Sequence, residues 1–411
     1  HTPFTAADLT VVIPAYGRLP ERLPTGVRVI VVDDASPTPL APTPLKPAPL
    51  APAPLEPAPP APADGSAPEP AVHVIPPPRV TWSRHDTNRG PGAARNTGLA
   101  AVATPLVAFV DTDVVLPDGW LEPLLAHFAD ERVALVAPRI AGAPGVSWLA
   151  GYEQRHSPLD LGAEPARIAA GTRVSYVPAA TMVCRTSVVR DLGGFDADMR
   201  LGEDVDLVWR LTEAGHRCRY EPASVVLHEP RPSLPDLLRQ RFGYGRSAAS
   251  LARRHPGALA PVRMSGWSAL SWVLLALRRP LLALGVAGGT TIALQRKLTD
   301  VPPADSARLA GLGHLAAGRQ FANAIVRVWW PAAVLVALIV RRARLPVALA
   351  FSVPTMAEAL GTRSVQPVLD APLRVADQMA YGAGVWAGVI AERTAAPLLP
   401  ELTNWPQRAA G

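Results

Sequence analysis

"LVAFVDTDV", Leu106–Val114, decides how the rest of this chain reads. Five apolar residues end abruptly in Asp-Thr-Asp. A continuous apolar run of this length fits a strand buried on both faces of a parallel sheet. In open α/β sheets, ligands sit outside the carboxyl ends of the strands, which is where Asp111 and Asp113 fall. Alternation points residues i and i+2 to one side. Two carboxylates there make a seat for a hard divalent cation, Mg²⁺ or Mn²⁺, that can also bind a diphosphate. Two solvated loop acids are the plain alternative.

Working outward, "LTVVIPAY" (Leu9–Tyr16), "VRVIVVDDAS" (Val27–Ser36), "RVTWSR" (Arg79–Arg84) and "RVALVAPRI" (Arg132–Ile140) read as further strands. "GPGAARNTGLAAVAT" between two of them reads as a helix of small residues, and "GWLEPLLAHFADE" has helical spacing. This alternation predicts an α/β fold of doubly wound character. "GPGAAR" resembles half a dinucleotide fingerprint. It starts five residues past its strand, and the later acid comes as a pair, which argues against a dehydrogenase.

Other acids stand at similar places. Asp33 and Asp34 end a strand, where a carboxylate can accept from a base N–H or ribose hydroxyls; a turn or cap acid is the plain reading. "GEDVDLVWRL" puts Glu203, Asp204 and Asp206 in the first turn of a helix, where the dipole favours acids. A carboxylate there could also be the general base that deprotonates an acceptor hydroxyl. His228 in "VVLHEP" reads either as a satisfied loop histidine or as a further metal or phosphate contact. "RQRFGYGR" offers Arg239, Arg241 and Arg246, either phosphate grips or a solvated basic stripe.

A proline repeat of period five follows Ser36: TPLAP, TPLKP, APLAP, APLEP. Prolines this dense remove amide donors and fix φ, leaving polyproline II or a disordered spacer. Strands on both sides belong to one sheet, so residues 36–78 read as an insertion inside a unit spanning 1–235. Past it, 236–411 is helical, apolar and basic. No stretch there reaches the roughly 20 uninterrupted apolar residues of a clean span. Interfacial or re-entrant helices, true spans and a soluble helical domain all stay open.

The 411 residues carry a net charge of +6 and are 49% hydrophobic. That balance favours anionic partners such as phosphates or an anionic membrane surface. Aromatics at 6% and no arginine-rich tail argue against nucleic acid. Cys184 and Cys218 are the cysteines, too few for a disulfide framework or zinc spacing. No charged-then-apolar leader is visible from His1.

In order, "VVIPAYGR", "VVDDAS", "NRGPGAARNTGL", "FVDTDV" and "GGFDADMRLGEDVDLVWRL" resemble the family-2 glycosyltransferases of GT-A fold, over roughly Leu9–Arg246. The resemblance implies a Rossmann-like nucleotide-sugar-binding sheet, a UDP-sugar donor, a divalent metal and inversion at the anomeric carbon. It places Pro14, Ala15 and Tyr16 in the nucleotide pocket and Asp33 on the uracil. Asp34, Asn88, Gly90 and Arg95 would lie along the nucleotide and its phosphates. Asp111 and Asp113 match the metal motif, with Asp113 the more direct ligand, and Asp204 matches the base, supported by Glu203. "GEDVDLVWRLTEAGHRCRYEP", "LHEP" and "RRHPG" are similar to the mycofactocin-system members. Those members imply UDP-glucose, a premycofactocin-type acceptor and a β-linked glucose chain. With the apolar second half, the expected place is the cytoplasmic face of the cell membrane. A membrane-bound transferase for lipid-phosphate or envelope glycans, and a non-catalytic sugar-nucleotide-binding scaffold, are the competing readings.

Overall fold

The computed structural model describes residues 3–40 and 79–404. The proline repeat beyond Leu40 lies outside the described residues.

The first half runs β1 (Leu9–Ala15), β2 (Arg28–Asp33), β3 (Arg79–Arg84), α1 (Pro91–Ala101), β4 (Leu106–Val110) and β5 (Val114–Val115). It continues with α2 (Glu122–Leu125), β6 (Val133–Gly142), α3 (Trp148–His156), β7 (Ala166–Ile168), β8 (Thr181–Arg185), α4 (Thr186–Asp191), α5 (Glu203–Glu213) and β9 (Arg217–His228). These strands form one sheet in the order β3-β2-β1-β4-β8-β6-β9-β5, with β7 also on β9. From β3 to β4 all pairs are parallel, as the apolar runs predict. Beyond β4 the sheet is mixed, because β8 lies antiparallel to both β4 and β6. A strand buried on both faces reads as the same apolar run in either direction, and the connection sets its sense.

Alternate residues feed two cores. Val12, Val32, Val107 and Phe109 face one layer, with Phe195 edge-on to Phe109 at 4.8 Å. Val11, Ile13, Val31 and Ala108 face the other, against Leu124 and Phe128. The expected helix over "GWLEPLLAHFADE" is a single α turn continuing as a 3₁₀ turn, Ala126–Ala129. Pro123 sits at its start, where its missing N–H costs nothing.

The second half runs α6 (Leu234–Arg254), β10 (Arg263–Ser265), α7 (Gly266–Ala276), α8 (Pro280–Lys297), α9 (Pro303–Arg327), α10 (Trp330–Ile339), α11 (Arg344–Thr362), α12 (Gln366–Glu392) and β11 (Glu401–Thr403). α12 packs along α6. A Cβ built on Gly245 of α6 would stand 2.0 Å from the Tyr381 carbonyl oxygen, so only glycine lets these backbones approach. Two acids of α12 reach into the first half. Asp370 accepts hydrogen bonds from Arg155 (Nε and Nη2) and pairs with His156, each at 2.9 Å. Asp377 accepts from Tyr152 Oη and Arg241 Nε, also at 2.9 Å.

Among the described residues, one helical segment, Arg341–Thr362, is long and apolar enough to cross a membrane. α9 and α10 pass the same test together but meet at an 88° bend.

Candidate active site

A cleft of about 530 Å³ opens at the carboxyl ends of β1 and β4, between the sheet, α1, α5 and α6. Pro14, Ala15 and Tyr16 line its β1 side. Tyr16 is 55% exposed.

Asp34 is buried and organises the neighbouring loop. Its Oδ1 accepts from the Arg89 amide (2.9 Å) and meets His85 Nδ1 (2.7 Å), while its Oδ2 accepts from the Gly90 amide (2.8 Å). Gly90 caps α1 with φ +93°, a conformation that favours glycine. Asn88 donates to the Asp34 carbonyl (3.3 Å) and accepts from Arg200 (2.7 Å). Asp33 is placed otherwise. It does not line the cleft, and its carboxylate accepts from the Ser36 and Leu40 amides and pairs with Arg84.

The acids of the cleft are joined through Arg95. This buried guanidinium donates to Glu203 Oε1 and Asp111 Oδ1, both at 2.7 Å, and stacks over Phe195 at 5.3 Å. Burial works against its charge, but Asp111 and Glu203 outweigh that and raise its pKa. Burial raises the Asp111 carboxyl even against Arg95, with the Asp113 charge adding to it. Burial and the Asp204 charge push Glu203 up to about 7.

Asp113 has a different setting. Its Oδ2 accepts from Arg231 Nη2 at 3.0 Å and lies 3.3 Å from His228 Nε2. Burial alone would raise its pKa; His228 and Arg231 instead hold it well below the usual carboxylate range. Among the described residues no three His, Cys, Asp or Glu side chains form a ready metal cage. The donor chemistry still fits a hard divalent cation. Asp113 and His228 are adjacent, Asp111 lines the same cleft, and a substrate diphosphate would supply further oxygens.

Asp204 faces the cleft from the first turn of α5, which Gly202 caps with φ +84°. Its Oδ2 accepts from the Ala179 amide (3.1 Å) and its Oδ1 from the Val205 amide (2.8 Å). It has no salt-bridge partner among the described residues. Asp206, two residues on, is consumed instead by Arg210 (2.7 Å) and His255 (3.1 Å).

Neither Arg239 nor Arg241 lines the cleft. Arg239 is exposed and pairs with Asp236; Arg241 is buried and spent on Asp377. Arg246 is exposed on the same helix. The cations that do line the cleft with Arg95 are Arg200 and Arg231, which the sequence reading passed over. Arg231 lies three residues past His228 and Arg200 four before Asp204, so nearness to the motifs was the available signal. Tyr176, Tyr244 and Tyr381 also line the cleft and were missed.

The family described as glycosyl transferase family 2 matches residues 64–193. The match begins past the proline repeat, yet β1 and β2, before the repeat, pair in the same sheet as β3 and β4. The mixed α/β sheet is GT-A-like, and the class is that of the glycosyltransferases. The chain belongs to the pre-mycofactocin glycosyltransferase family. It is 40% identical over 414 residues to the "Pre-mycofactocin glycosyltransferase" of Mycobacterium tuberculosis (strain H37Rv), covering 96% of this chain and 82% of that one. "Probable polypeptide N-acetylgalactosaminyltransferase 8" of Homo sapiens is 24% identical over 188 residues, 41% of this chain and 29% of that one. A solved structure of the mannosyltransferase PcManGT from Pyrobaculum calidifontis, in complex with GDP-Man and Mn²⁺, is 17% identical over 77% of this chain and 81% of that one. Its TM-score is 0.40.

Proposed function

We propose that this glycosyltransferase transfers glucose from UDP-glucose to premycofactocin with inversion, building a β-linked oligoglucoside at the cytoplasmic face of the cell membrane. The observation that carries the chemistry is the joining of Asp111, Arg95 and Glu203 in one cleft, with Asp204 beside them. The acceptor is taken from the similarity to the mycobacterial relative.

Tyr16, Pro14 and Ala15 offer a face for the base, and the Asn88–Gly90 loop, held by Asp34, borders the nucleotide. Arg95, Arg200 and Arg231 bring positive charge to the diphosphate region. A divalent cation, when bound through Asp113 and His228 with Asp111 nearby, supplies charge neutralisation that makes the diphosphate a better leaving group. Asp204, fixed by the Ala179 amide, takes the proton from the acceptor hydroxyl as that oxygen attacks the anomeric carbon. One displacement from the face opposite the leaving group gives inversion.

Asp204→Asn tests this. The amide keeps the shape but cannot accept the proton. Transfer should fall about 100-fold or more while UDP-glucose binding, read by calorimetry, changes little. Full turnover in this variant would remove Asp204 from the base role. A transferase for lipid-phosphate or envelope glycans is the second reading, favoured by the long apolar segment Arg341–Thr362. An acceptor screen separates the two.

A further inference from the structure

The side of the cleft nearest β1 comes from the first half of the chain, from Pro14 to Asp113. The rest is built differently. Tyr176 stands in the segment before β8, Tyr244 on α6 and Tyr381 on α12, and all three line the same cavity as Asp204. Tyr176 and Tyr244 lie close enough for the Asp204 charge to reach them, and burial raises both phenols, so they remain neutral hydroxyls. Leu251 and Leu259 continue this lining.

Tyr381 is held firmly. The Arg327 guanidinium of α9 lies 4.0 Å from its ring centroid, a cation–π contact, and its carbonyl is where Gly245 admits α6. Arg241 likewise stands over the Tyr244 ring at 5.9 Å. Three neutral tyrosines lining one cavity suit a flat or apolar body carrying a hydroxyl more than a diphosphate, which Arg95, Arg200 and Arg231 already serve.

We infer that Tyr176, Tyr244 and Tyr381 form the acceptor subsite, so that α12 of the second half completes the active site and selects the acceptor. This rests on the reading of Asp204 as the base. The second half is then part of the catalytic unit as well as its carrier.

The test uses the full chain, UDP-glucose and premycofactocin. Tyr381→Ala should raise the acceptor KM roughly tenfold, the size of a lost ring contact, with the donor KM unchanged within about twofold. Tyr381→Phe keeps the ring and should stay near wild type. Tyr176→Leu lies off the α6–α12 contact and should show the same acceptor-only effect, which guards against a folding defect in Tyr381→Ala. Donor and acceptor KM rising together, or unchanged acceptor KM in both variants, would overturn the inference. Failure of the base reading shows separately, as turnover retained in Asp204→Asn. In that event, calorimetric binding of premycofactocin at saturating UDP still decides the subsite: about tenfold weaker binding in Tyr381→Ala and Tyr176→Leu supports it, and unchanged binding refutes it.

Discussion

Arg95 sets the charge state of the cleft. It is 3% exposed and serves two carboxylates, one just past the end of β4 and one at the start of α5. Glu203 nonetheless sits at about 7 against an ordinary 4.5, because burial and Asp204 outweigh Arg95. The sign follows from linkage. The folded state holds this proton more tightly than the unfolded chain does, so the contribution is fully present below 4.5 and is lost as pH rises through about 7. Glu203→Gln lacks that titration. Its melting temperature relative to wild type should therefore be higher at about pH 8 than at about pH 5. A difference that stays flat across that interval would show that Glu203 does not titrate there. Arg95→Met should act more harshly, costing about 3–5 kcal/mol in chemical denaturation, because it leaves buried Glu203 and half-buried Asp111 without their cation. A loss under about 1 kcal/mol would mean that water already serves those acids. The acids themselves were legible in the sequence, since a strand end or helix start fixes where such side chains point. Arg200 and Arg231 were not. A lone arginine in a loop carries no periodic signal, and its partner Asn88 or Asp113 lies more than a hundred residues away.

Elements divide in the same way. Apolar runs announce β1, β2, β4 and β6 because burial on both faces leaves no other composition. The antiparallel sense of β8 leaves no mark in "TMVCR", which is buried either way. The α6–α12 contact was also silent, because its glycines look like weak points in a helix. The structure gives them a reason. A Cβ at Gly384 would stand 2.0 Å from the Phe242 carbonyl oxygen, backbone that cannot rotate aside. Gly384→Val should cost about 2–3 kcal/mol or more and lower the denaturation midpoint in mild detergent. Gly311, inside α9, has open space around it, so Gly311→Ala should stabilise by about 0.5–1 kcal/mol through helix propensity alone. Equal effects of the two substitutions would show that helix propensity, and not close approach, governs both sites.

At the scale of the molecule, Asp370 and Asp377 latch α12 to α3 and α6, which fixes the second half relative to the cleft. Away from the latch, that half presents apolar side chains outward: Leu281, Leu338, Ile339 and Leu360 are each at least two-thirds exposed. Arg341 and Arg342 stand between two such helices, α10 and α11, Arg344 opens α11, and Trp330 opens α10. Apolar side chains beside arginines and tryptophan suit the boundary of an anionic bilayer. The full chain should therefore float with vesicles containing phosphatidylglycerol and bind less to purely zwitterionic ones. Each arginine near such a surface is worth about 1 kcal/mol, so replacing all three with alanine should weaken vesicle binding roughly 100-fold. Charge and apolar burial make separable demands. About 1 M salt, where the screening length falls to roughly 3 Å, should remove the preference for anionic lipid. Leu338→Asp with Ile339→Asp should abolish binding to both kinds of vesicle. If the arginine variant binds as wild type while the aspartate variant does not, α10 inserts by its apolar side chains alone. The arginines would then only mark its edge.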